Sequence, residues 1–301
     1  MMPRDLDEIM SERGPLMNLA YRLLGSFAEA EDAVQETYTR WFALSGQQRD
    51  AIESPGAWLT TVITRICLNV LGSARARRET YTGAWLPEPL PDPAEGFRAR
   101  PSTTADPADR VTLDESVNMA FLVVLDSMTP AERVAFVLHD VFAYPFNEVA
   151  EITGRTPAAS RQLASSARRR IDAARPSATN TARQASMVSD FKQAWEANDI
   201  GALVGLLDPD ATLTGDGGGL VRAAVIPYEG GEQVAGFLST VMRNAPSNGR
   251  LLERTVNGQP GLVGELDGQI IAVYAFETNG MRITRIWSIL NPEKLSLWQT
   301  T

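Results

Sequence analysis

The hydrophobic positions divide this chain into three stretches of different period. To about Glu79 they recur every three or four residues: Leu16, Leu19, Leu23 and Leu24, then Ala30, Val34, Tyr38 and Trp41, then Trp58, Val62, Ile66 and Val70. That spacing predicts three amphipathic helices. Pro55 precedes the third, and Gly72 weakens its end. Residues 80–110 lose the period and carry Pro87, Pro89, Pro91, Pro93, Pro101 and Pro107, the composition of a linker. Within it, Trp85 to Leu90 is too apolar for a plain spacer and predicts a docking segment. Helical spacing returns over residues 111–175. There Thr129-Pro130-Ala131-Glu132 predicts a capping box with proline at the first helical position, and Val134, Val137 and Leu138 its inner face.

After a second polar linker, residues 176–183, the pattern changes in kind. Residues 184–301 open with short helical runs, Met187–Trp195 and Ile200–Leu207, and hold one more at Val234–Arg243. Strand-like runs cover Ala211–Thr214, Leu220–Pro227, Leu251–Val256, Gln259–Leu266, Gln269–Glu277 and Met281–Leu290. Gly258, Asp267-Gly268 and Asn279-Gly280 are hairpin signals. The expectation is two all-α domains, residues 1–79 and 111–175, followed by an α+β domain with a curved antiparallel sheet and a concave face.

The most chemically informative stretch is Phe146 to Ala173. Val149 and Ile152 give a first short helix its apolar face, and Gly154 suits its C-terminal turn. Thr156 then caps a second helix that starts at Pro157 and carries no acid before Asp172. This is a helix-turn-helix with a basic second helix. Ser160, Arg161 and Gln162 are placed to reach base edges; Arg155, Arg168 and Arg169 are placed for phosphates. The competing reading is a solvated basic helix.

Net charge is −9, which opposes nucleic-acid binding until its distribution is considered. Arg65, Arg75, Arg77 and Arg78 form one acid-free cluster, and the helix-turn-helix arginines another; acids gather at Glu29, Glu31, Asp32 and Glu36. The segregation points to DNA at two places and a basic protein partner at a third. Only Lys192 and Lys294 are lysines; arginine offers the bidentate geometry that suits phosphate and guanine. A single cysteine, Cys67, excludes an internal disulfide, fits a reducing cytoplasm and reads as core. A single histidine, His139, reads as structural, and together they exclude a His/Cys zinc site. No loop has EF-hand spacing. Asp216-Gly217-Gly218-Gly219 lacks the Lys-Ser/Thr of a phosphate loop and reads as a turn needing positive φ. No metal, cofactor, membrane span or signal peptide is expected.

Ala28-Glu29-Ala30-Glu31-Asp32-Ala33-Val34-Gln35-Glu36-Thr37-Tyr38 resembles region 2 of bacterial extracytoplasmic-function sigma factors, and Trp58-Leu59-Thr60-Thr61-Val62 the start of their promoter-melting helix. The helix-turn-helix resembles region 4. Three further motifs, Tyr81-Thr82-Gly83-Ala84-Trp85-Leu86-Pro87-Glu88-Pro89, Asp216-Gly217-Gly218-Gly219 and Asn291-Pro292-Glu293-Lys294-Leu295, are similar to signatures of the subgroup that includes the sigma-J type. That subgroup carries a fused C-terminal SnoaL-like domain of the nuclear transport factor 2 superfamily.

The resemblance implies a cytoplasmic, non-enzymatic factor that brings core RNA polymerase to promoter DNA. It implies polymerase binding by Asp32, Gln35 and Glu36, against the plainer reading of a solvated acidic face. It implies contact with the −10 element by Trp58, Arg65 and Asn69, with Arg75, Arg77 and Arg78 on phosphates; Trp58 reads equally as core. Ser160, Arg161 and Gln162 would read the −35 element. Trp85, Pro87, Asp216, Gly217, Gly218, Asn291, Pro292 and Lys294 would form a regulatory interface through which the C-terminal domain packs on the sigma part. On that reading, Asp216→Ala or Pro292→Ala is expected to alter transcription with thermal stability nearly unchanged. Two other classes stay open: a ligand-sensing helix-turn-helix activator, and a SnoaL-like cyclase or isomerase using Asp216, Tyr228, Glu229 or Tyr274.

Overall fold

The computed structural model describes residues 9–78, 81, 83–91, 117–174, 181–221, 223–224 and 226–299; the side chains of residues 74–78 lie outside that description. The described residues form two compact units. One holds residues 9–78, 117 and 121–174, the other the described residues among 81–91, 118–120 and 181–299. Pro93, Pro101 and Pro107 of the expected linker fall outside the described residues, while residues 81–91 belong to the second unit.

In the first unit, α1 (Arg13–Leu24) buries the whole Leu16, Leu19, Leu23, Leu24 stripe and ends at Gly25, whose φ of 71° is the left-handed cap that glycine adopts without strain. α2 (Phe27–Ala43) is capped by Ser26, whose side chain accepts from the Glu29 amide, and buries Ala30, Val34 and Trp41. α3 (Gly46–Asp50) is a short turn with its own capping box. α4 (Pro55–Arg78) buries Leu59, Ile63, Ile66, Cys67 and Leu71. Its inner line is therefore one residue out of phase with the expected one, and Trp58, Val62 and Val70 are only half-buried. Leu59 and Ile63 are fully buried, each worth about 1.5–3 kcal/mol of transfer free energy.

α5 (Met119–Asp126) leads to α6 (Pro130–Phe136), which has the expected capping box: Thr129 accepts from the Glu132 amide, and the Glu132 carboxylate accepts from the Thr129 amide. α6 continues into a π-helical turn, Val137–Val141. Val134, Val137 and Leu138 have no exposed surface. α7 (Phe146–Thr153) and α8 (Pro157–Ala174) follow.

The second unit packs α9 (Thr181–Glu196), α10 (Ile200–Leu206) and α11 (Gly231–Arg243) on a six-stranded sheet. Its strands are β1 (Leu207–Asp216), β2 (Tyr228–Glu229), β3 (Arg250–Val256), β4 (Gln259–Leu266), β5 (Gln269–Thr278) and β6 (Ile283–Ile289), in the order β2-β1-β6-β5-β4-β3. Asn257-Gly258 and Asp267-Gly268 have positive φ at both positions, the backbone of tight hairpins.

Two expectations are corrected. The sheet is mixed: β1 pairs with β6 in parallel, because the β3–β6 meander returns β6 beside β1 in the same sense. The described residues of the expected strand Leu220–Pro227 are loop, with Leu220 and Ile226 exposed, because Gly218 and Gly219 both take left-handed φ and turn the chain off the sheet.

One sheet face, with Leu213, Leu262, Tyr274, Phe276 and Ile286, meets Phe191, Trp195, Val234 and Leu238 of the helices. Strand alternation puts Val263, Val273, Ala275, Trp287 and Ile289 on the other face. They too are buried. In register with Ile289 on that second face stands Asp216.

Candidate nucleic-acid interface

α7 and α8 form the helix-turn-helix from local causes. Val149, Ala150 and Ile152 anchor α7, Gly154 turns the chain at φ 65°, and the Arg155 amide closes on the Ala150 carbonyl at 2.8 Å. Thr156 Oγ1 accepts from the Ala159 amide at 3.2 Å and starts α8. The helical period then sorts α8. Ser160, Ala164, Ala167 and Ile171 face inward, while Arg161, Gln162 and Arg169 are exposed, as is Arg155 in the turn.

Ser160 therefore leaves the set of base readers. It has no exposed surface and its Oγ has no hydrogen-bond partner among the described residues. It shares the phase of Ala164, so no rotation of its side chain reaches a groove. Arg168 is altered in a different way: it is half-buried, and its Nε donates to Asp140 Oδ1. Burial raises the Asp140 carboxyl, and Arg168 counteracts that rise. Arg168 is thus committed to an ion pair, and Arg155, Arg161 and Arg169 carry the open positive charge of this face. His139 is structural, with Nδ1 at 2.8 Å from the Tyr144 carbonyl and its ring stacked on Phe146.

On α2, Asp32, Gln35 and Glu36 are all exposed on one side of the helix. Glu36 pairs with Arg40 one turn on, at 2.8 Å, an exposed pair worth about 0.3–0.5 kcal/mol and easily exchanged for another cation. On α4, Trp58, Arg65 and Asn69 follow one another at helical spacing. Trp58 is half-buried and edge-on to Trp41, with centroids 5.3 Å apart, so it serves the core and still shows one side to solvent. Asn69 and Arg65 are exposed; Arg65 turns onto α7. The side chains of Arg75, Arg77 and Arg78 lie outside the described residues.

In the second unit the three remaining motifs converge on one carboxylate. Asp216 is fully buried and pairs with Lys294 Nζ at 2.7 Å. It accepts from Tyr81 Oη at 2.6 Å, from the Leu86 amide at 2.9 Å and from the Gly218 amide at 3.1 Å. Asn291 donates to Tyr81 Oη at 3.0 Å, and Lys294 also bonds the Leu86 carbonyl and sits 4.1 Å above the Trp85 ring. Burial and the Asp216 charge push the Tyr81 hydroxyl well above the usual tyrosine range, which keeps it a donor.

Close packing dictates the glycines of this cluster. A Cβ on Gly217 would meet the Val221 carbonyl at 2.1 Å, and one on Gly218, at φ 64°, would meet Asn291 at 2.5 Å. Pro87 is buried in the strap that continues to Leu90, and Pro292 opens the short turn Pro292–Lys294 capped by Asn291. The far end of the strap is held by residues the sequence did not flag. Asn257 and Leu90 exchange two hydrogen bonds, and Trp298 Nε1 donates to the Pro89 carbonyl at 2.8 Å. Only the neighbouring Gly258 signalled a turn; Asn257 and Trp298 gave no signal.

The residues weighed for catalysis do not converge. Asp216 is on the second face; Tyr274 is buried on the first, edge-on to Trp195, where burial pushes its hydroxyl up to about 12. Tyr228 stacks on Phe237, and Glu229 is exposed on the edge strand. Among the described residues no helix is long and apolar enough to cross a membrane.

Family comparisons follow the same division. The model for sigma-70 region 2 matches residues 9–78, and that for sigma-70 region 4 matches residues 118–171. The chain belongs to the extracytoplasmic-function sigma factors: it is an alternative sigma factor directing transcription initiation, with two helical sigma domains and a C-terminal α+β domain that holds a mixed sheet. In particular it is similar to the ECF RNA polymerase sigma factor SigJ of Mycobacterium tuberculosis, at 39% identity over 97% of this chain and 93% of that protein. The crystal structure of SigJ matches with a TM-score of 0.71 at 35% identity, covering 97% and 98% of the two chains. The probable ECF sigma factor SigI of the same organism is 32% identical over 95% and 92%.

Proposed function

We propose that this sigma factor binds core RNA polymerase through the Asp32, Gln35 and Glu36 face of α2, opens the −10 element with α4 and reads the −35 element with α8. The observation that supports this best is the sorting of α8, which keeps Arg161 and Gln162 exposed at the N-terminal end of a helix-turn-helix. On α4, Trp58 and Asn69 offer an aromatic face and an amide for unstacked bases. The C-terminal domain acts without catalysis, as a regulatory module, in the cytoplasm where polymerase works. Asp216, one of the four residues weighed for catalysis, is consumed by its pair with Lys294.

The module's lever is the strap. Only residues 79 and 80 separate the end of α4 from Tyr81. Holding residues 81–91 on the sheet shortens the free connection between the two sigma segments, and that changes how readily they act together. The regulatory interface of the full chain then runs through Trp85, Asp216, Asn291 and Lys294.

The test of polymerase binding is reversal of charge. Asp32→Lys with Glu36→Lys is expected to abolish copurification with core RNA polymerase while the thermal unfolding midpoint stays near wild type, because both side chains are exposed. Near-normal holoenzyme formation by that variant overturns the assignment.

A further inference from the structure

Phe146 opens α7, one turn ahead of Val149 and Ala150 on the same stripe of the helix. Those two are buried, whereas Phe146 is only half-buried. Its ring stacks on that of His139, with centroids 3.7 Å apart and planes 25° apart. The imidazole is itself tied down: a backbone carbonyl can only accept, so His139 Nδ1 donates to the Tyr144 carbonyl, at 2.8 Å. From α8, Arg161 Cζ lies over the Phe146 ring, 5.5 Å from its centroid. At that distance a guanidinium is attracted by the negative face of the ring. A fixed ring on the first helix of the helix-turn-helix thus supports one particular arginine of the second.

We propose that Phe146, backed by His139, is a platform that positions Arg161 for a base edge, so that Phe146 sets sequence specificity through Arg161. The proposal rests on the assignment of Arg161 to the −35 element. Contact with a ring face spends no N–H donor. Arg168 gives its Nε to Asp140, whereas Arg161 has no hydrogen bond or ion pair among the described residues. It keeps all five donors for DNA, in the fork geometry that matches guanine O6 and N7. The ring also lowers the entropy cost of binding. An exposed arginine loses rotamer freedom when it seats on a base pair, and a side chain already resting on a ring has less to lose. Arg155 and Arg169, assigned to phosphates, lie over no ring among the described residues. A phosphate accepts a cation from many directions and a base edge from few, so the platform stands under the arginine for which direction matters.

Phe146→Leu keeps apolar bulk on α7 and removes the ring; Phe146→Tyr keeps the ring. Both are compared with Arg161→Ala and with Phe146→Leu combined with Arg161→Ala, each as the full chain assembled with core RNA polymerase. The probe is the −35 duplex that the unmodified holoenzyme selects from a randomised library, together with its single-base substitutions. Phe146→Leu is expected to bind the selected duplex about two- to fivefold more weakly, the span of an exposed cation–π contact. It is also expected to relax preference at the same base position as Arg161→Ala. Phe146→Tyr is expected to recover both. In the Arg161→Ala background, Phe146→Leu is expected to add nothing, because the two residues act as one. In the free chain, the Arg161 Nε–H resonance is expected to be displaced by the ring current, and to lose that displacement in Phe146→Leu but not in Phe146→Tyr.

A loss in Phe146→Leu that is equal on every duplex, or that persists undiminished in the Arg161→Ala background, overturns the platform, because a packing role predicts that result. An Arg161 resonance that is the same in Phe146→Leu and the unmodified chain overturns it too. So does wild-type preference in Phe146→Leu beside relaxed preference in Arg161→Ala. Wild-type preference in Arg161→Ala overturns instead the −35 assignment of Arg161, and the platform falls with it.

Discussion

Ser160 and Glu277 are both buried polar groups, and they differ in what meets them. The Ser160 hydroxyl has no partner among the described residues. Ser160→Ala is expected to leave promoter affinity unchanged and to raise stability by about 1 kcal/mol, the cost of an unsatisfied buried hydroxyl; denaturant unfolding and a −35 duplex titration check the two halves. Glu277 is mostly buried and pairs with Arg285 at 2.8 Å; burial raises its carboxyl, and Arg285 offsets part of that rise. A raised carboxyl means the folded domain holds the proton more tightly than the unfolded chain. Its contribution is fully present below the ordinary carboxylate value and is lost as pH rises through the folded value. Glu277→Gln removes that loss and leaves Arg285, itself 42% exposed, to solvent. Its thermal midpoint, relative to wild type, is expected to climb between about pH 4 and pH 7. A wild-type advantage that grows over this range would contradict the sign. Residue type alone ranks Ser160 with Arg161 and Gln162, because all three are polar on a basic helix. Phase separates them, and phase depends on which side of α8 the core lies.

At the scale of elements, the proposed −35 role divides α8 into base readers and phosphate holders. Arg161→Ala or Gln162→Ala is expected to relax sequence preference at the −35 element at a cost of about 1–3 kcal/mol per good base contact. Arg169→Ala is expected to weaken binding on all sequences alike and to flatten its salt dependence. Selection from a randomised −35 library distinguishes them, and an unchanged preference in both base-contact variants would remove α8 as the reader. Arg168, already paired with Asp140, is expected to give a smaller salt effect than Arg169. What the sequence made legible in these elements is what local chemistry sets. The Thr129 and Thr156 caps, the Gly154 turn and the hairpins at Gly258 and Asp267-Gly268 all form where their residues predict. Distant partners decide the rest. The buried line of α4 moved by one residue because α1, α2 and the region 4 helices all pack on it, and broad packing gives a weak phase signal. The parallel β1–β6 pair joins residues some seventy apart, and no local pattern encodes it. Leu220–Pro227 has strand composition, yet two left-handed glycines before it turn its described residues off the sheet.

For the whole molecule, the segment proposed to carry regulation is also a buried part of the C-terminal unit, and that alters what a mutation at Asp216 tests. An exposed docking aspartate would be removed at little cost, as the sequence reading expected. Asp216 is instead fully buried, paired with Lys294 and bonded to Tyr81 and to the Leu86 amide. Removing one partner of such a pair strands the other charge, at about 3–5 kcal/mol. Asp216→Ala and Lys294→Met are therefore each expected to lower the unfolding midpoint of the C-terminal domain clearly. Removing both charges leaves nothing stranded, and residues in contact are not additive. The double variant Asp216→Asn with Lys294→Met is expected to be more stable than Lys294→Met alone, while it still lacks the ion pair that holds Trp85 and Leu86. Truncation after residue 175 is a poorer probe, since it takes away the sheet on which Leu86 and Leu90 are buried and leaves an apolar strap behind. The informative comparison is in-vitro transcription by the double variant and wild type at equal holoenzyme occupancy. If the strap carries regulation, promoter output changes although much of the stability has returned. Equal output on every promoter tested would assign the cluster to stability alone.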